Sequence, residues 1–244
     1  LTTAGKKFRS GFSPIMGGVH IAPFPYAFRY GWDMETAVKF ALDELDYLLA
    51  TISSPADTAA FIIEPVLGDG GYLPTPPAFL EGLRRRADEH DILLIIDEVQ
   101  AGVGRTGKFW GHEHSTAKPD IVITAKGLAS GFPISAIAAS TELMSKAWPG
   151  SQGGTYGGNA VAAAAAVATL DVVRDEGLVE NAAVQGAVLL DGLKALKEQY
   201  WAIGDARGLG LMQALEFVDE NGKPDAAAAA RVQQTAISEG LLLL

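Results

Sequence analysis

The chain has 244 residues, 48% of them hydrophobic, which suffices for one large domain or for one domain and part of another. Its 19 basic and 29 acidic residues give a formal charge of −10, and the one basic cluster, Arg84-Arg85-Arg86, reads as a turn of solvated helix, so nucleic-acid binding is not expected. There is no cysteine, which excludes disulfides and thiolate metal sites and fits a cytoplasmic setting, and the longest uncharged apolar stretch, residues 160–170, is too short to span a membrane.

Up to about residue 30 the chain is rich in Gly, Pro and aromatics, the composition of an irregular segment that crosses a surface or lines a cleft. From Asp33 to about Ser53, the residues Ala37, Phe40, Ala41, Leu45, Leu48 and Leu49 recur at helical spacing, with Asp33 as N-cap. A short apolar run, residues 59–63, is closed by Glu64-Pro65; proline cannot continue a central strand, so this strand ends with a carboxylate at its tip. Gly68-Asp69-Gly70-Gly71 makes a tight loop, and the amphipathic stretch 77–90 leads into the apolar run Leu93-Leu94-Ile95-Ile96. That run delivers Asp97-Glu98-Val99-Gln100. A further run, Ile121-Val122-Ile123-Thr124, delivers Lys126.

Strand, helix and strand in this order are the βαβ alternation of an α/β fold, a mainly parallel sheet with helices on its faces. Ligands of such sheets lie beyond the carboxyl ends of the strands, where Glu64, Asp97 and Lys126 are all expected. After Lys126 come a Gly-rich loop to Pro133, a strand at residues 134–139, and the loop Gly153-Gly154-Thr155-Tyr156-Gly157-Gly158, whose amides and hydroxyl suit a phosphate. Helix is expected from Asn159 to about Tyr200, broken near Glu176-Gly177. An apolar strand before Phe217, a turn at Asn221-Gly222 and a helix over 226–239 follow. The division predicted is residues 1–175 as part of a large domain and residues 176–244 as a long helix and the start of a small α+β domain. Leu1, in place of Met, and Leu241-Leu242-Leu243-Leu244, which reads as a core strand, create the expectation of a piece of a longer polypeptide.

Three partial motifs compete for the function. Residues 102–107 fit G-x-G-x-x-G but do not join a strand directly to a helix, and no acidic residue closing a second strand lies about twenty residues on. The same stretch through Lys108 nearly fits a phosphate loop, except that Phe109 stands where the magnesium-binding hydroxyl belongs. His112-Glu113-His114 lacks a third ligand at metal spacing and reads as surface. The pair Asp97 and Lys126 is more informative. A lysine at a partly desolvated sheet edge becomes a nucleophile, and a carboxylate at the end of an apolar strand needs a cationic partner. That partner is either Lys126 itself or the protonated ring nitrogen of pyridoxal 5′-phosphate, with the lysine on the aldehyde and a Gly/Thr loop on the phosphate.

The motifs Ile63-Glu64-Pro65-Val66, Asp97-Glu98-Val99-Gln100, Gly104-Arg105-Thr106-Gly107, Thr124-Ala125-Lys126-Gly127, Gly154-Thr155-Tyr156-Gly157-Gly158-Asn159 and Arg207-Gly208-Leu209-Gly210 cover essentially the whole chain. In this order they resemble the class III, ornithine/4-aminobutyrate-type aminotransferases, fold-type I enzymes that depend on pyridoxal 5′-phosphate. The resemblance implies that Lys126 forms the Schiff base and transfers the proton, Asp97 pairs with the ring nitrogen, Val99 packs on the ring, and Gln100 binds its phenolic oxygen. It implies a homodimer in which Thr155 reaches the cofactor phosphate of the neighbouring subunit. Where the family carries a gating Glu after the Glu64-Pro65 motif, this chain has Asp69, one methylene shorter. The main phosphate cup, the aromatic stacked on the ring and the arginine for the α-carboxylate are expected outside these residues.

The activity implied is transfer of an amino group from an ω-amino donor such as 4-aminobutyrate to a 2-oxo acid such as 2-oxoglutarate. Alternatives are an acetylornithine, ornithine, putrescine or diaminobutyrate aminotransferase, a racemase or aminomutase of the same fold, and an inactive fragment.

Overall fold

The computed structural model describes residues 5–151 and 153–243. Helix α1 (Met34–Thr51) begins where the Asp33 carboxylate accepts a hydrogen bond from the Thr36 amide at 2.8 Å, and its stripe of Ala37, Val38, Ala41, Leu45 and Leu49 is buried. Strand β1 (Ala60–Ile63) is followed by a small antiparallel pair, β2 (Val66–Leu67) and β3 (Leu73–Pro74), joined by the loop 68–72. Helix α2 (Pro77–His90) leads to β4 (Leu93–Asp97), and β5 (Ile121–Thr124) and β6 (Ala136–Ala139) complete a sheet of order β1-β4-β5-β6. β1, β4 and β5 run parallel and β6 returns antiparallel, so the fold is α/β with a mainly parallel sheet, as the alternation of elements predicts.

Alternation along β4 decides which side of the sheet does what. Leu94 and Ile96, 0% and 1% exposed, pack with the buried stripes of α1 and α2 in the main core. Leu93, Ile95 and Asp97 take the opposite face and are only half-buried. The ladder continues one residue past the strand, since the Glu98 amide donates to the Ile123 carbonyl at 2.8 Å. Glu98 thereby returns to the core side, 1% exposed.

The Arg84-Arg85-Arg86 cluster is not a solvated turn, because only Arg85 is exposed. Arg84 bridges to Asp88 at 2.8 Å and Asp120 at 2.7 Å, and Arg86 donates to Asp46, tying α2 to α1. Asp120 in turn accepts the Leu94 amide hydrogen bond at 2.7 Å. The arginines therefore staple helix to helix and helix to sheet.

The stretch from Asn159 divides where expected. Helix α3 (Ala160–Asp175) is separated from α4 (Leu178–Gln199) by Gly177 in the left-handed conformation. The following segment holds two strands, not one: β7 (Ile203–Leu209) pairs antiparallel with β8 (Met212–Phe217). β7 escaped prediction because Gly-Asp-Ala-Arg-Gly in its middle is polar and half-buried, without an apolar face to mark it. Helix α5 (Ala226–Ser238) closes the order. Leu241, Leu242 and Leu243 form no strand and are exposed; Leu244 lies outside the described residues.

The loop 102–107 is a packing loop. A Cβ on Gly107 would stand 2.9 Å from Ala183 Cα in α4, and the Arg105 carbonyl accepts the Leu211 amide at 3.0 Å. Its glycines bring loop, helix and the β7–β8 turn within contact distance of each other, which is why they imitate a nucleotide motif. Truncating the centre of the core tests its weight: Leu94→Ala is expected to lower unfolding free energy by about 2–5 kcal/mol in urea titration.

Candidate active site

The register sets three chemical groups side by side. Ile63 pairs with Ile96 and Asp97 with Ile123, so β1, β4 and β5 end at one edge, where Glu64, Asp97 and Lys126 emerge. Asp97 Oδ1 accepts the Val99 amide hydrogen bond at 3.0 Å, and its other oxygen carries no hydrogen bond among the described residues. No ion pair joins Asp97 to Lys126 among the described residues, so mutual neutralisation is not what the pair does here.

Lys126 opens a short 3₁₀ turn (Lys126–Ala129) instead of a flexible loop, closed by the Leu128 amide on the Ala125 carbonyl at 2.9 Å and packed against α3. Its φ is +42°, and Val103 and Tyr72, in neighbouring loops, stand at +57° and +50°. Such conformations cost of order 1–3 kcal/mol each and persist where surrounding contacts over-determine them. The amine is exposed, contrary to the expected partly dry setting, because among the described residues nothing covers this edge of the sheet.

Glu64 lies deeper. Burial pushes its carboxyl above the ordinary range, the Gly68 amide donating to Oε2 at 3.0 Å works against that, Asp97 and Asp69 add to it, and Lys126 opposes it. Asp69 is exposed on the loop. Gln100 donates from Nε2 to the Tyr72 hydroxyl at 3.2 Å, and its Oε1 stands 2.0 Å from where a Cβ on Gly68 would be, so a larger residue there would turn the Gln100 amide out of this position. Among the described residues, unspent hydrogen-bonding capacity gathers here: one oxygen of Asp97, Gln100 Oε1 and the Lys126 amine.

Thr155 shares no hydrogen bond with this group among the described residues. It is exposed in the turn before α3. Two of the first amides of α3 are already taken by the Asn159 side chain at 3.0 and 3.1 Å, which limits what the Gly-rich loop offers a phosphate. A cavity of about 430 Å³ separates residues 133–135 from residues 156–159.

Sequence reasoning missed the buried member of the motif. Glu98 accepts from the Gly111 amide at 2.8 Å, from the His112 amide at 2.9 Å, and faces His112 Nδ1 at 2.8 Å. His112 and His114 are thus half-buried braces, not surface residues: His114 Nε2 donates to the Thr106 carbonyl at 3.1 Å. The signal was available, since the period of two places Glu98 on the core side, where an ionisable carboxyl needs several donors.

Comparison with known proteins gives a consistent relationship. The model of the family described as Aminotransferase class-III matches residues 1–244. The chain is 38% identical over 246 residues to a 4-aminobutyrate aminotransferase of Escherichia coli, covering 100% of this chain and 57% of that protein. It is also 38% identical over 242 residues to an alanine/serine racemase of Pyrococcus horikoshii, covering 96% of this chain and 51% of that one. An amine transaminase from an uncultivated Pseudomonas species, solved in its PLP-bound form, superposes with a TM-score of 0.91 at 33% identity over 98% of this chain and 57% of its own. The chain spans about half the length of these relatives.

Two measurements check the bracing. Glu98→Gln replaces an acceptor by an amide that cannot serve all its donors, and is expected to destabilise by about 1–3 kcal/mol. Burial holds His114 below its ordinary value despite the Thr106 hydrogen bond. The unfolded chain then binds more protons than the folded one once pH falls below about 6.5, so this contribution to stability is intact above that pH and lost below it. Denaturation midpoints at about pH 7.5 and 5.5 are expected to differ less in His114→Gln than in the parent protein.

Proposed function

The chain belongs to the aminotransferase class-III family, and from that premise we propose that the protein is a transaminase that moves an amino group from an ω-amino donor of the 4-aminobutyrate type to a 2-oxo acid such as 2-oxoglutarate. The single observation that carries the reading is the meeting of Asp97 and Lys126 at adjacent parallel strand ends, unpaired with each other, with Lys126 held at a φ of +42°.

Class III aminotransferases use pyridoxal 5′-phosphate, and the capacity left over at this edge matches the ring end of that group. An acceptor, Asp97, suits a protonated ring nitrogen; Val99 supplies an apolar surface for the ring; Gln100 faces the phenolic oxygen; and the Lys126 amine suits covalent attachment at the aldehyde carbon. Bound this way, the cofactor supplies an electron sink for a carbanion. The residues do the rest: Asp97 keeps the ring nitrogen protonated, and Lys126 Nζ carries a proton between substrate carbon and cofactor. In this reading Asp69, exposed on its loop, takes the gating position beside the half-buried Glu64, with a shorter reach than a glutamate.

The phosphate has fewer partners here, and Thr155 is assigned to the phosphate of a neighbouring subunit, in a homodimer that shares its sites. Its exposure, and the lack of a hydrogen bond from it to the Asp97 group among the described residues, support that assignment. In the same proposal, residues 1–175 form part of the cofactor-binding domain, residues 176–244 begin a small domain, the enzyme is cytoplasmic, and further residues complete the catalyst.

A second reading has its own support, because the racemase of Pyrococcus horikoshii matches as well as the 4-aminobutyrate aminotransferase does. Dependence on an amino acceptor separates the two. Full-length protein with pyridoxal phosphate is expected to show a visible chromophore that borohydride fixes to the chain, and to consume 4-aminobutyrate only when 2-oxoglutarate is present. Lys126→Ala is expected to lose the fixed chromophore and at least ~10²-fold in turnover. Borohydride-fixed cofactor in that variant would overturn the assignment of Lys126, and turnover without a 2-oxo acid would favour the racemase.

A further inference from the structure

Arg207, in the middle of β7, lies far along the chain from the site and has no place in the reading above. Its guanidinium donates from both Nε and Nη2 to one acceptor, the Gly71 carbonyl, at 3.0 and 2.8 Å. Its third nitrogen, Nη1, sits between Asp205 at 2.9 Å and Glu216 at 2.6 Å, and Glu216 also accepts from the Tyr26 hydroxyl. Arg207 and Glu216 side chains are only 12% and 15% exposed.

Stability alone is a weak explanation for such a cluster. Desolvation offsets much of the attraction in buried ion groups, and apolar replacements often do as well. What a planar fork adds is direction: two donors converging on one carbonyl fix that peptide in space. The peptide fixed is Gly71–Tyr72, in the loop 68–72. At its other end the loop is held by Glu64 through the Gly68 amide at 3.0 Å. Directly after the Gly71 anchor, the Tyr72 hydroxyl accepts from Gln100, and Tyr72 and Leu209 pack on the apolar seam of Val66, Ala101 and Met212.

We propose that Arg207 is a positioning residue: by holding the Gly71 carbonyl it seats Tyr72 against Gln100 and so couples the β7–β8 hairpin to the ring end of the cofactor site. The cofactor part of this inference rests on the role proposed for Gln100. The loop part does not.

Two variants of the full-length protein, Arg207→Lys and Tyr72→Phe, test it. In the cofactor-free protein, the Gly71 and Tyr72 amides, which both bond to the Gly68 carbonyl, are expected to exchange hydrogen at least ~10-fold faster in Arg207→Lys, with Leu94 and Ile96 in β4 unchanged. With pyridoxal phosphate added, both variants are expected to bind it roughly tenfold more weakly and to shift the pH midpoint of its visible band in the same direction. The double variant is expected to go no further than either one, because the two residues act in series. Unchanged exchange at residues 71 and 72, with only a lower melting temperature, would reduce Arg207 to a structural ion pair and overturn the proposal. Faster exchange with cofactor affinity and pH midpoint unchanged would overturn the coupling to the site. If the parent protein itself takes up no pyridoxal phosphate, the failure belongs to the proposed function, and the exchange arm still decides whether Arg207 holds the loop.

Discussion

The two-residue period of β4 is the constraint on which the rest depends. One residue step separates Asp97 from Glu98, and that step sends the first carboxylate to the open side of the sheet and the second into the core. Their chemistry is nearly identical, yet their fates are opposite. Glu98 meets three nitrogens of the segment 111–112 and becomes a structural anchor. Asp97 meets one amide and keeps an oxygen free for something else. A slip of one residue in the β1–β4 register would exchange the roles and leave an unpaired carboxylate in the core.

Glu98 also explains how the loops beyond the strands hold strained backbone. Through the Gly111 and His112 amides it pins the middle of the long connection between β4 and β5, and His114 pins its first half through Thr106. With both points held, the connection turns tightly enough to place Val103 at a φ of +57° beside Gly127, next to Lys126. The strain at Val103 and Lys126 is sustained by contacts to buried groups, not by sequence preference, since neither residue type favours that region.

Much of this was legible in the sequence where burial writes a period. The helices at Met34–Thr51 and Pro77–His90 and the strands around Leu94 and Val122 carry apolar patterns that only one arrangement satisfies, and the carboxyl-end convergence of Glu64, Asp97 and Lys126 follows from strand order. What stayed hidden has polar or long-range causes. β7 is held by pairing and by Arg207, without an apolar stripe. The stapling arginines look like a charged helix face until their partners Asp46 and Asp120, 40 and 36 residues away in the chain, are placed beside them. The bond from Arg207 to Gly71 spans 136 residues and leaves no trace in local pattern.

The electrostatic balance of the site separates the chemistry it can host from the chemistry it must leave to others. At this edge of the sheet burial above all, and then Asp97 and Asp69, act to keep a proton on Glu64, against the Gly68 amide and Lys126. Such an edge favours cationic groups, a protonated ring nitrogen or an incoming ammonium, and disfavours a dianionic phosphate placed among the same carboxylates. The ring and the phosphate of one cofactor therefore need to sit in differently charged surroundings. The hydroxyl and glycine amides around Thr155 are neutral donors, the character a phosphate end requires.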